Sequence, residues 1–128
     1  MIVGAMVLAL SGGCHPKPAP SSPAVFWEQV RSGELRNFML HGFKVGGRPG
    51  NYWPVAANVF VPAVRLEEAK QASAQLQPLI ASRLAGLEKD DITQQDRCAR
   101  LENDILAETR SRLPELTVQK VFLSLDIK

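Results

Sequence analysis

The amino-acid sequence predicts an α+β fold: a small mixed or antiparallel sheet with two amphipathic helices packed on one face. Three observations carry that prediction. Residues 35–64 are rich in aromatic and β-branched side chains and are punctuated by Gly and Pro. Residues 66–113 repeat apolar side chains every three or four positions, and residues 121–127 alternate apolar with polar. Strands, then helices, then a strand is the order that stacks helices against a small sheet.

The elements follow in chain order. Ser22-Pro23 suits an N-cap and first helical residue, and Phe26, Trp27 and Val30 form a short apolar face that ends at Gly33. LRNFMLHGFKV, residues 35–45, fits a strand broken at Gly42 better than a helix, through Phe38, Leu40, Phe43 and Val45. GGRPGN, residues 46–51, is a turn, and it lacks the Lys-Ser/Thr that would make it a phosphate loop. YWPVAANVFVPAV, residues 52–64, is a strand whose centre is bracketed by Pro54 and Pro62, which argues a restricted or edge position. Alternation puts Trp53, Val55, Ala57, Val59 and Val61 on one face and Tyr52 with Phe60 on the other.

From Leu66 to Leu87 the stripe Ala69, Ala72, Leu76, Leu79, Ile80, Leu84 and Leu87 predicts a helix, kinked at Pro78 or restarting with Pro78 in its first turn. Thr93-Gln-Gln-Asp96 resembles a capping box opening a second helix, with the stripe Cys98, Leu101, Ile105 and Leu113 and a stop at Pro114. Val121, Leu123, Leu125 and Ile127 then alternate with Lys120, Ser124, Asp126 and Lys128 as a half-buried strand.

With 128 residues, 45% of them hydrophobic and 22% charged, the chain buries one ordinary core. One domain over residues 25–128 is expected, preceded by a signal or lipoprotein anchor and a Pro-rich linker over residues 1–24. Met1 to Gly13 carries no side-chain charge, and at about 1.5 Å per residue thirteen helical residues reach only about 20 Å of a hydrocarbon core about 30 Å thick. Ser11-Gly12-Gly13-Cys14 resembles a bacterial lipobox, which makes Cys14 the candidate lipid anchor. Ser11 stands where that pattern usually has Leu. Three alternatives stay open: a degenerate lipobox, an internal Met1 within a longer transmembrane segment, and a cleaved secretory peptide. HPKPAPSSP, residues 15–23, has four prolines in nine residues and suits an extended spacer.

Composition also sets functional bounds. The net charge of +2 is too weak for the field of a nucleic-acid binder. Cys98, on a helix's apolar face, reads as core rather than as a disulfide partner of Cys14. His15 sits in the linker and His41 stands alone without CxxC or HxxxH spacing, so neither metal nor cofactor is expected. There is no G-x-S-x-G and no His beside a placed nucleophile, so the chain is not expected to be an enzyme. Glu67-Glu68 suits a helix's first turn, and Asp90-Asp91 a solvated loop. Arg48, Tyr52 and Trp53 are the candidate partner contacts, because Trp, Tyr and Arg supply much of the energy of protein interfaces, although Trp53 and Phe60 read first as core of the middle strand. Arg97, Arg100, Arg110 and Arg112 with Glu102, Asp104 and Glu108 read as a mixed-sign exposed helix face, solvated or ordering neighbours in a ring.

LQPLIASRLAGLEKDDI followed by ARLENDILAETRSRLPELTVQKVFLSLDI is similar to the C-terminal half of the flagellar basal body-associated protein FliL. The residues that carry the resemblance are Pro78, Leu79, Ile80, Leu84 and Leu87; Asp90, Asp91 and Thr93; Leu101, Ile105, Leu106 and Leu113; and Val118, Val121 and Phe122. The resemblance implies a stomatin-like periplasmic domain without catalytic residues. It also implies homo-oligomers beside flagellar stator or basal-body components. The alternative expectation is a periplasmic lipoprotein adaptor or ligand-binding module unrelated to motility.

Overall fold

A computed structural model of the chain describes residues 23–48 and 51–126. Of the anchor and linker expected over residues 1–24, residues 1–22, Cys14 among them, lie outside the described residues, as do residues 127 and 128, whereas Pro23 and Ala24 belong to the first helix. The fold is α+β. Its three strands are β1 (Leu35–Arg48), β2 (Asn51–Pro62) and β3 (Lys120–Leu125), and its helices are α1 (Pro23–Arg31), α2 (Leu66–Gln71), α3 (Ser73–Leu84), α4 (Lys89–Thr93) and α5 (Gln95–Arg112). Short 3-10 turns at Ala63–Arg65 and Pro114–Leu116 lead into α2 and out of α5.

The sheet is antiparallel, in the order β1-β2-β3. β2 is therefore the central strand, a correction to the edge position expected from its prolines. The reason lies in the register: β2 pairs on both sides only over residues 55–60, and Pro54 and Pro62 fall just outside that stretch. No ladder hydrogen bond from the doubly paired part needs their missing N–H groups. The turn is also tighter than GGRPGN, since β1 continues to Arg48 and β2 resumes at Asn51, its register partner. The break expected at Gly42 is a bulge: the pairing slips between Leu40 and Phe43, and Gly42 takes φ +95°.

The main core lies between one sheet face and the helices of the second half. Phe38, Leu40, Phe43 and Val45 of β1 meet Val55, Val59 and Val61 of β2, and Leu76, Ile80, Leu84, Ile92 and Ile105 close over them. Helices do not keep to that face alone. α1 covers one end of the opposite face, where Phe26 packs with Leu35 and Phe60, flanked by Val30 and Phe122. The period of two explains this second cluster: at that end each strand has an apolar residue on both faces, and an uncovered Phe60 and Phe122 would stand in water.

Two helix boundaries differ from the sequence reading. The Leu66–Leu87 stripe breaks at Ala72 rather than Pro78; Ala72 closes α2 through its N–H to the Glu68 and Ala69 carbonyls, both at 3.1 Å. Pro78 sits inside α3, where it and Ala74 are exposed, so the Ala74 carbonyl that Pro78 cannot bond faces water. The capping box lies at Glu88 and Asp91, opening α4, and not at Thr93–Asp96. Asp91 accepts the Glu88 N–H at 2.9 Å, so it is a cap rather than a loop-solvating charge. Glu67 and Glu68 do fall in the first turn of α2. Among the described residues no helix is long and apolar enough to cross a membrane.

Candidate functional site

α1 leaves the other half of its sheet face uncovered, and alternation decides what is displayed there. β1 contributes Asn37, Met39 and Lys44, β2 contributes Tyr52 and Asn58, and β3 contributes Ser124, with Asp126 immediately beyond its end. Met39 and Tyr52 are 42% and 44% exposed, among the few large apolar or aromatic side chains so open.

The polar groups around them are paired. Asn37 Nδ2 donates to Asn58 Oδ1 at 2.7 Å, and Lys44 Nζ lies 5.0 Å from the Tyr52 ring centroid. Nδ1 of His41 meets Oδ2 of Asp126 at 3.0 Å, linking the two outer strands across β2. An ionised carboxylate only accepts, so Nδ1 is the donor of this pair. The bulge makes this pair possible, and Gln77 of α3 holds the bulge by donating from Nε2 to the His41 carbonyl at 2.6 Å. The Asp126 N–H donates to the Pro54 carbonyl at 2.8 Å, which fixes the other partner. Among the described residues no hydrogen bond joins Ser124 to the pair, and no three His, Cys, Asp or Glu side chains converge.

The expected contact residues divide between the two faces. Tyr52 is on the uncovered half, whereas Trp53 points to the main core, half-buried under Lys89, whose Nζ lies 4.1 Å from the ring centroid. Arg48 ends β1 opposite Asn51, and its side chain lies outside the described part. Sequence reasoning missed the His41–Asp126 pair because its members are 85 residues apart and meet only through the β1-β2-β3 order. The one sequence signal is a polar residue beside a strand-breaking Gly42.

Two other regions carry charge. The α5 face expected to be solvated is tied down in part, while Arg97, Arg100 and Asp104 are exposed. Glu102 Oε2 accepts the Leu123 N–H at 2.7 Å, and Arg110 Nε donates to the Val118 carbonyl at 2.8 Å. Glu108 is held between Arg83 of α3 and Arg112 of α5, the latter at 3.1 Å. The hydrogen bond from Arg83, reinforced by both guanidinium charges, holds the Glu108 carboxyl below the usual range against a smaller opposing effect of burial. Beside this trio an open groove of about 550 Å³ runs past Pro78, Leu79 and Leu113. Cys98 is a free, buried thiol pushed up to about 12, by burial first and then by the Glu102 carboxylate at 3.4 Å.

Comparison with protein-family models and with curated proteins returns no match.

Proposed function

We propose that the chain is a membrane-tethered, non-enzymatic accessory module of the bacterial periplasm that works by protein contact, beside a flagellar motor or a similar envelope complex. The observation that carries this reading is the exposure of Met39 and Tyr52 on the uncovered half of the sheet, framed by polar groups already paired to one another. An exposed thioether and an exposed aromatic ring within a satisfied polar rim resemble the anchors of a protein interface. The Pro-rich segment after Cys14 supplies the spacer, and the FliL resemblance supplies the motor as the expected partner complex.

The test combines fractionation with motility. In the native host the wild-type chain should sediment with membranes and be open to protease from the periplasmic side, and Cys14→Ser should release it. A strain lacking the gene should swim more slowly in viscous medium, and Tyr52→Ala should reproduce that loss at normal protein level. A cytosolic chain overturns the reading. A membrane-bound chain whose loss leaves swimming unchanged overturns the motor role and favours the lipoprotein adaptor.

A further inference from the structure

Among the described residues, one stretch of β1, at Asn37 and Met39, leaves outward backbone groups open at the edge of the sheet. The Ala63 N–H donates to the Glu34 carbonyl at 2.9 Å, and Pro62, the register partner of Leu35, has no N–H to give. Alternation then turns the N–H and C=O of Arg36, Phe38 and Leu40 toward β2, and those of Asn37 and Met39 outward. Further along, the outward carbonyl of His41 is taken by Gln77, and the Gly46 N–H by the Leu87 carbonyl at 2.8 Å. On the opposite edge, α5 lies along β3 and Glu102 takes the Leu123 N–H. Among the described residues no hydrogen bond reaches the outward backbone groups of Asn37 and Met39. Both residues are exposed.

We infer that this stretch is a homodimer seam: a second copy of the chain lays its own β1 antiparallel against it, joining two three-stranded sheets into one of six strands. The inference names one partner within the proposed function and rests on that reading. An open strand edge is a template for another strand, and two identical edges pair about a two-fold axis. In the register that uses both open residues, Asn37 of one copy faces Met39 of the other. Arg36, the only charge between Leu35 and Leu40, then faces an apolar Leu40 rather than the second Arg36. The chain's small net charge of +2 leaves little repulsion between copies.

The experiment is sedimentation equilibrium of the full chain in density-matched detergent over a micromolar range, with hydrogen exchange read at single amides. The expected result is a monomer–dimer equilibrium in which the Asn37 and Met39 amides become protected as concentration rises. Met39→Pro removes only an outward N–H and should weaken the dimer about tenfold or more, the effect of losing one hydrogen bond on each side of the seam, with circular dichroism unchanged. Met39→Lys should act in the same direction if the proline variant does not fold. A monomer at every concentration overturns the seam, as does a dimer whose Asn37 and Met39 amides exchange freely. Either result leaves membrane association and swimming to be judged separately, so a failed seam and a failed accessory role are distinguishable.

Discussion

At Gly42 a single residue sets the geometry of the uncovered sheet face. Its φ of +95° is a conformation that side chains with a Cβ rarely adopt, while a Cβ there would meet only Gln77 Nε2 at an ordinary 3.6 Å. The cost of Gly42→Ala is therefore conformational rather than steric. We expect about 1–2 kcal/mol of lost stability in urea unfolding, with the Gln77 to His41 clamp loosened. An unchanged midpoint would mean that the bulge relaxes without strain. The glycine was legible in the sequence as a strand breaker, because a glycine inside an alternating apolar run has few other readings. Its consequence was not, since the side chain it re-aims, His41, finds Asp126 only after two strands have paired with a third.

Among the elements, α3 and α5 are joined by an ionic link as well as by the core. Glu108 receives Arg83 from one helix and Arg112 from its own. Its folded-state pKa is lowered, so the unfolded chain takes up the proton first as pH falls. The stabilisation is present above the ordinary carboxylate pKa and disappears as pH drops through the lowered folded value. Thermal melts between neutral pH and about pH 3 should show a steeper acid decline for wild type than for Glu108→Gln, whose side chain does not titrate. Parallel curves would mean that the link adds nothing. Helix periodicity located this part of the fold well, because the stripes through Leu76, Ile80 and Ile105 are the residues that become buried. It could not place the breaks: Ala72 ends a turn without a breaker's chemistry, whereas Pro78, the obvious breaker, is tolerated where its orphaned carbonyl reaches water.

For the molecule as a whole, the second apolar cluster matters most. The sequence pattern implied helices on one face only, yet Phe26, Phe60 and Phe122 form an edge-to-face trio on the other, with centroids 5.1 to 5.9 Å apart. Each apolar residue was visible along the chain; that they belong to a second core follows only from strand order. Phe26→Ala should cost about 3 kcal/mol and make the uncovered Phe60 and Phe122 bind a hydrophobic dye while far-UV dichroism keeps the main sheet signal. Full retention of stability would show that α1 is dispensable. The β1-β2-β3 order also has a temporal consequence. β1 and β2 are joined by a two-residue connection, whereas the β2–β3 register joins residues 60 to 70 apart. Local hairpins close in microseconds, and distant pairings wait for the intervening chain to be ordered. The hairpin is thus the early scaffold. The surface that links His41 to Asp126 is the last thing to be assembled, and every nascent copy carries an unfinished β2 edge until its final strand arrives.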